Sequence, residues 1–276
     1  MNAISSDLRT QTGAAVKISN VSKTYETRGK DDVHALDRVD IDIAPGSFVA
    51  VVGPSGCGKS TLLSLMAGLV PLSTGEILID GQAIRKPHPK VGVVFQTDLM
   101  LYWRTVLDNV LLPIEIKHQN RARAKETAKA LLDQVGLKGF ENKMPSELSG
   151  GMRQRVAICR ALIQEPGLLL MDEPFGALDA LTRHHMQELL TGIWENHRLT
   201  VLFITHDVEE AVYLADRVAV MTNRPGRIKT IVPVNLPRPR RYDMVASTEF
   251  QAIHREVLGA IRSESLAASR MAAALS

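Results

Sequence analysis

The 276-residue sequence predicts an α/β fold with a parallel sheet, an antiparallel β-subdomain before it and a helical insertion within it. Short apolar runs alternate with helix-like segments in the second half of the chain, which is typical of a parallel sheet with helices on its faces. Between residues 98 and 162 this β-pattern is replaced by an amphipathic helical pattern. We predict a flexible tail over 1–15, a main domain over 16–240 with the insertion at about 98–162, and a helical extension over 241–276.

The first part of the chain is expected to form the antiparallel subdomain. A strand opens at residues 16–18, and residues 40–43 alternate polar and apolar side chains as a half-exposed strand does. Residues 75–81 alternate again between bracketing glycines, which predicts an edge-type strand.

A glycine-rich loop then joins a buried strand to a helix. Residues 48–52 are an apolar β-branched run, and residues 60–67 are typical of a helix. The segment 53–60 between them, Gly-Pro-Ser-Gly-Cys-Gly-Lys-Ser, fits the phosphate-binding P-loop pattern. Glycines allow backbone N–H groups to face phosphate oxygens, and the helix N-terminus adds partial positive charge. The candidate nucleotide-binding residues are Gly53, Pro54, Ser55, Gly56, Cys57, Gly58, Lys59, Ser60 and Thr61.

Two carboxylates end a later apolar strand. Residues 168–171 are apolar and are followed by Asp172 and Glu173. Strand ends in such sheets open onto the ligand crevice. We therefore predict that Asp172 holds Mg²⁺ together with Ser60, and that Glu173 takes a proton from an attacking water.

A second candidate phosphate-binding motif lies at residues 148–155, Leu-Ser-Gly-Gly-Met-Arg-Gln-Arg, where Gly150 and Gly151 precede a helix. These two residues are called the second glycine pair. Ser149 is a favoured N-cap residue, and the helix start that follows can bind an anion. The chain therefore has two separate helix N-termini suited to phosphate.

Composition excludes several classes of protein. The formal charge of +3 and the pI near 8.9 do not indicate nucleic-acid binding. Two cysteines, Cys57 and Cys159, give no disulfide framework and fit a reduced, cytoplasmic setting. No apolar run approaches the roughly 18–20 residues that span a bilayer. We expect a chain that is not itself embedded in a membrane, while a membrane partner remains open.

The order of the motifs resembles the ATP-binding subunit of an ABC transporter. The P-loop, a glutamine after a buried strand, Leu-Ser-Gly-Gly, apolar-Asp-Glu and an isolated histidine follow one another over residues 16–233. The resemblance implies a RecA-like P-loop NTPase core with ATP and Mg²⁺ as ligands. It further implies a homodimer in the ATP-bound state, integral membrane permease subunits as partners, an indirect extracytoplasmic solute-binding protein and no nucleic acid. The chain would lie peripherally on the cytoplasmic face of the inner membrane.

The same resemblance implies roles for three further residues of the subunit's own site. Gln96 would contact Mg²⁺ or the attacking water, and would act in catalysis with Glu173 and His206. His206 would donate a hydrogen bond to the γ-phosphate. Tyr25 would stack on the adenine ring, although an ordinary packed aromatic is the alternative.

It also implies a composite site between two subunits that face head to tail. Ser149, Gly150 and Gly151 would bind the γ-phosphate of the ATP held by the other subunit. Asp179 would lie at the seam between the subunits. ATP binding would close the dimer and hydrolysis would open it.

A finer resemblance is to the nitrate, sulfonate and taurine importers. It depends on Leu-Pro-Arg-Pro-Arg at residues 236–240 and on the stretch 103–110, which is expected to face the membrane subunit. Tyr102 departs from the group, in which proline often precedes the tryptophan. The alternative for 236–240 is a stiff linker whose arginines stay solvated. The cargo itself is not specified by any residue of such a subunit.

Two other functions fit the sequence less well. An ABC-type ATPase acting in nucleic-acid repair or maintenance usually carries long coiled coils, zinc modules or tandem cassettes, and this chain has one cassette with no heptad run or cysteine cluster. A regulatory module without turnover is disfavoured by the carboxylate at Glu173.

Overall fold

The structure, a computed structural model, describes residues 13–27 and 31–275, with side chains up to residue 264. Most of the predicted flexible tail, residues 1–12, lies outside the described residues. Its last part is packed, because Ala14 is buried and donates its N–H to the carbonyl of Gly167 at 2.9 Å. The Thr200 hydroxyl donates to the Ala14 carbonyl at 2.6 Å.

The described residues form ten strands and seven α-helices. In chain order they are β1 (Val16–Tyr25), β2 (Val33–Ile43), β3 (Phe48–Val52), α1 (Lys59–Met66), β4 (Thr74–Ile79), β5 (Gln82–Ala83), β6 (Val91–Val94), α2 (Val106–Ile116), α3 (Arg121–Gln134), α4 (Gly150–Leu162), β7 (Leu168–Asp172), α5 (Ala180–His197), β8 (Thr200–Ile204), α6 (Val208–Leu214), β9 (Arg217–Met221), β10 (Ile228–Pro233) and α7 (Thr248–Leu275).

The larger sheet has six strands in the order β10-β9-β3-β8-β7-β6. All neighbours are parallel except β10, which pairs antiparallel with β9. Strands β3 and β8 are buried along their whole length, as expected for central strands covered on both faces. The ends of β3, β7 and β8 lie side by side, and this alignment positions the candidate site.

The smaller sheet is antiparallel, with the order β2-β1-β4-β5. Val16 pairs with Ile43 on one side and with Ile79 on the other. Strand β4 was predicted to be an edge-type strand, and this was wrong, because the two-residue strand β5 pairs with its outer side. The strand before Gln96 was expected to be buried, but this strand, β6, is the outer strand of the larger sheet and only its alternate residues are buried.

The larger sheet separates two hydrophobic clusters. Phe48, Ala50 and Val52 face the helical insertion together with α5, α6 and α7. Val49 and Val51 face the cluster that contains α1 and the antiparallel sheet. Because successive strand residues point to opposite faces, one buried strand contributes to both clusters.

Several elements had no clear signal in the sequence. Helix α2 contains Pro113, which usually interrupts a helix, and α6 has only seven residues. Strand β10 was not predicted. The predicted C-terminal extension contains one long helix, since α7 runs over 28 residues and packs on β9, β10 and α6, with Phe250 and Val257 in the core.

The segment 236–240 is bound to the core, so the alternative of a linker with solvated arginines is wrong. Arg238 donates to Asp216 at 2.8 Å and lies 4.1 Å from the Trp194 ring centroid. Burial, followed by repulsion from Arg238, lowers the pKa of Arg240 to about 10. The buried Arg240 guanidinium donates to four backbone carbonyls, those of Val212, Tyr213, Ala215 and Val234.

Arg240→Ala is expected to lower the free energy of unfolding by about 3 kcal/mol, because buried carbonyls lose a charged donor. Urea denaturation measures this change. Arg241→Ala is the matched control, since the adjacent side chain is 80% exposed, and we expect it to change stability by less than about 0.5 kcal/mol. Equal stability of the two variants would contradict a structural role for Arg240.

Candidate nucleotide-binding site

The loop between β3 and α1 has the geometry of an anion-binding helix start. Gly58 caps α1 at φ 106°, where a Cβ would lie 2.8 Å from the carbonyl oxygen of Ala35. Only glycine fits this combination of backbone angle and close approach. Lys59 is buried, and its ammonium donates to the carbonyls of Gly53 at 2.9 Å and Pro54 at 3.1 Å. The loop thus places one cation among backbone groups at the N-terminus of a helix.

A pair of oxygen ligands lies beside this loop. The Ser60 hydroxyl donates to Asp172 Oδ1 at 3.2 Å, which joins the start of α1 to the end of β7. Burial raises the pKa of Asp172, and the neighbouring charge of Glu173 raises it further, whereas the Ser60 hydrogen bond and Lys59 oppose the shift. Hard cations such as Mg²⁺ prefer oxygen ligands and usually bind one or two carboxylates plus substrate phosphates, so the pair fits a Mg²⁺ site.

Glu173 is held in an unusual backbone conformation next to a histidine. Its φ is 44°, in the left-handed region that non-glycine residues seldom adopt. Its N–H donates to the carbonyl of Ile204 at 2.9 Å, and its Oε2 lies 3.1 Å from His206 Nδ1. Such strain persists where surrounding structure imposes it, and it occurs often at active sites. The structure therefore brings Glu173 and His206 together on adjacent strand ends.

Gln96 is exposed just beyond β6. Helix α4 supports this segment, because Gln154 donates to the carbonyl of Phe95 at 3.3 Å. A Cβ added at Gly176 would lie 3.7 Å from both Gln96 Nε2 and Glu173 Oε2, so the two side chains border the same small space. Arg153 of α4 pairs with Asp98 at 2.8 Å. The segment after Gln96 is therefore tied to the helix that follows the second glycine pair.

Gly150 of that glycine pair is exposed, whereas Gly151 is buried beside the start of another helix. Ser149 caps α4 and accepts from the N–H of Met152 at 3.3 Å. Asp179 caps α5 and accepts from the N–H of Thr182 at 3.0 Å; this bond lowers the pKa of Asp179. A Cβ on Gly151 would lie 2.6 Å from Thr182 Cγ2, so the two helix starts are in contact. Ser149, Gly150 and Asp179 are exposed.

Tyr25 stands apart in the antiparallel sheet. It ends β1, is 37% exposed, and carries the ammonium of Lys23 at 4.9 Å from its ring centroid. Its predicted stacking on adenine stays a prediction.

One contact with the phosphate loop had no signal in the sequence. Arg224 donates from Nε and from Nη2 to the carbonyl of Gly56, each at 3.2 Å. The two residues are 168 positions apart, and no motif connects them.

The parallel sheet, the glycine loop at the end of β3 and the carboxylates at the end of β7 define a P-loop nucleotide hydrolase. The family profile described as ABC transporter matches residues 36–176, just over half of the chain. The chain belongs to the ABC transporter family, and it is an ATP-binding ATPase coupled to transport. The predicted family and fold class are confirmed. Among the described residues, no helix is both long and apolar enough to cross a bilayer.

Individual relatives and a solved structure support the assignment to this family. A putative ATP-binding protein of Brucella abortus is 52% identical over 227 residues, covering 82% of this chain and 87% of the relative. The aliphatic sulfonates import ATP-binding protein SsuB of Bacillus cereus is 46% identical over 243 residues, covering 88% and 94%. The dimeric post-hydrolysis structure of the ATP-binding cassette MJ0796 with ADP and Pi has a TM-score of 0.71 at 33% identity, covering 80% of this chain and all of that one.

Proposed function

We propose that this chain is the ATP-hydrolysing subunit of an importer for a small organic or inorganic anion such as nitrate, a sulfonate or taurine. The observation that carries the hydrolytic assignment is the cluster at the strand ends, where Ser60 meets Asp172 and Glu173 meets His206. The substrate class is supported by the 46% identity to SsuB and by the motifs at 103–110 and 236–240.

Within one subunit, the P-loop binds and orients the phosphates of ATP through its backbone N–H groups and Lys59. Ser60 and Asp172 would hold Mg²⁺, with Gln96 as a further candidate ligand. When bound, Mg²⁺ neutralises charge on the β- and γ-phosphate oxygens. Glu173 accepts the proton of the attacking water, and His206 Nδ1 orients the Glu173 carboxylate or donates to the γ-phosphate.

The second glycine pair would complete the site of another subunit. Ser149, Gly150 and Asp179 are exposed at the neighbouring starts of α4 and α5, so a phosphate from outside the chain can approach the N-terminus of α4 at Gly150. MJ0796 is known as a dimer, in one structure with ADP and Pi. Both points support a homodimer arranged head to tail, with each subunit contributing this surface to the ATP of its partner.

Ser149→Asp is expected to abolish dimerisation driven by a non-hydrolysable ATP analogue with Mg²⁺. Aspartate keeps the N-cap acceptor of α4 but places a negative charge where the partner's γ-phosphate would bind. Ser149→Asn is the matched control, because it keeps the cap without the charge. Light scattering coupled to size-exclusion chromatography measures the dimer. Full dimerisation of the aspartate variant would contradict the head-to-tail arrangement.

A surface next to Gln96 suits a membrane permease. Leu99, Tyr102 and Trp103 are 54%, 53% and 74% exposed, and such clusters mark interaction sites. Asn109, fully buried, fixes this loop by bonding both the N–H and the carbonyl of Leu101. Docking here would couple the permease to Gln96, place the chain on the cytoplasmic face of the inner membrane, and link it indirectly to a solute-binding protein.

The tagged chain should recover a multi-span membrane protein from detergent-solubilised membranes of its host. Mass spectrometry identifies the partners, and the same membranes with untagged chain serve as control. The binding protein encoded with that partner is then tested for nitrate, sulfonates and taurine by calorimetry. Recovery of soluble proteins or nucleic acid alone would overturn the importer assignment in favour of an ATPase acting on nucleic acid.

A further inference from the structure

The loop between β9 and β10 lies directly against the phosphate loop. The Arg224 guanidinium donates two hydrogen bonds of 3.2 Å to the carbonyl of Gly56. Two residues later the approach is closer still, since a Cβ on Gly226 would lie 2.0 Å from the carbonyl oxygen of Cys57. Two successive carbonyls of the phosphate loop therefore face the 222–227 segment.

These contacts control the direction of backbone donors. The C=O and N–H of one trans peptide point in opposite directions. Because Arg224 holds the carbonyl of Gly56, the N–H of Cys57 in the same peptide points to the opposite face. The close approach of Gly226 to the carbonyl of Cys57 directs the N–H of Gly58 in the same way. Within the described part of the chain, the N–H of Cys57 makes one long bond of 3.3 Å, to the carbonyl of Pro54. Its direction is thus determined in large part by the bond on the other side of its peptide.

The 222–227 segment is itself anchored on two sides. Asn223 Nδ2 donates to the backbone carbonyl of Glu264 in α7 at 2.7 Å. Lys229 of β10 pairs with the carboxylate of the same Glu264, also at 2.7 Å. On the other side, Arg227 pairs with Asp37 in β2. The segment connects the C-terminal helix and the antiparallel sheet to the phosphate loop.

We propose that Arg224 is a positioning residue for ATP binding, and that helix α7 sets its position through Asn223. The proposal rests on the proposed function of residues 53–61 as the ATP phosphate site. Arg224 acts through the carbonyl of Gly56 and not on the substrate. The C-terminal helix thereby gains a role, because a displacement of α7 changes ATP affinity.

The test is steady-state ATPase activity of the full chain as a function of ATP concentration. Arg224→Ala is expected to raise KM for ATP about tenfold and to change kcat less than about twofold, since it removes a charge-assisted contact needed for binding. Arg224→Lys, which keeps one donor, recovers part of the loss. Arg241→Ala, at an arginine that is 80% exposed and pairs with Asp243, leaves both constants unchanged. Melting temperatures verify folding, and Arg224→Gln replaces the alanine variant if that variant melts early.

The link to α7 is tested by a double-mutant cycle. Asn223→Ala is expected to raise KM in the same direction as Arg224→Ala but less, and the double variant should resemble Arg224→Ala alone. If the wild type is active and Arg224→Ala has an unchanged KM for ATP, the positioning role of Arg224 is wrong. The proposed function is not affected by that result. Additive effects overturn the link through Asn223. A wild-type chain that binds no ATP overturns the proposed function itself.

Discussion

Glu173→Gln is expected to reduce ATP hydrolysis by about 10²–10⁴-fold while ATP binding and ATP-dependent dimerisation persist. Glutamine has nearly the same shape and can still hydrogen-bond His206, which lies 3.1 Å from the carboxylate. It cannot accept a proton from the attacking water. Loss of turnover with retained binding therefore isolates the general-base step. Phosphate release measures hydrolysis, and light scattering with ATP measures the dimer.

The matched control is Glu126→Gln, because that carboxylate is 72% exposed on helix α3 and lies within the helical insertion. We expect wild-type turnover from it. Wild-type turnover in Glu173→Gln would remove Glu173 from the general-base role. Loss of both binding and turnover would instead assign it to holding the nucleotide.

Lys59→Met should weaken ATP binding by about 10–100-fold, since a charge-assisted hydrogen bond to phosphate contributes roughly 1.5–3 kcal/mol. Methionine keeps much of the length of the buried stem but lacks the ammonium. Among the residues that the structure describes, that ammonium bonds groups of its own loop, namely the carbonyls of Gly53 and Pro54 and the Cys57 sulfur, all within 3.9 Å. When ATP binds, we expect the Lys59 ammonium to donate these hydrogen bonds to phosphate oxygens, and these bonds contribute to the affinity for ATP. Calorimetry with ATP and Mg²⁺ measures the change.

Lys138→Ala is the control for Lys59, because its side chain is 78% exposed and pairs with Asp133 at 3.3 Å. Its ATP affinity should equal that of the wild type. Undiminished affinity in Lys59→Met, with unchanged melting temperature, would refute the assignment of residues 53–61 as the phosphate site.

The sequence by itself determined the parts of this protein that depend on adjacent residues. The P-loop pattern at 53–60, the apolar run ending in Asp172 and Glu173, and the Ser-Gly-Gly helix start at 149–151 each place a local backbone shape beside the chemistry it serves. Order along the chain was then enough to identify the family, which the comparisons confirmed. The same reasoning missed α2, α6 and β10, because a proline or a short length weakens their periodic pattern.

Only the tertiary structure decided which distant residues meet. Ser60 reaches Asp172 and Glu173 reaches His206 because strand ends that are far apart in sequence become neighbours in one sheet. Arg224 reaches Gly56 for the same reason, through the turn after β9. A contact between residues this far apart leaves no periodic or local signal, since it depends on the order and register of strands that pack only when the whole chain folds.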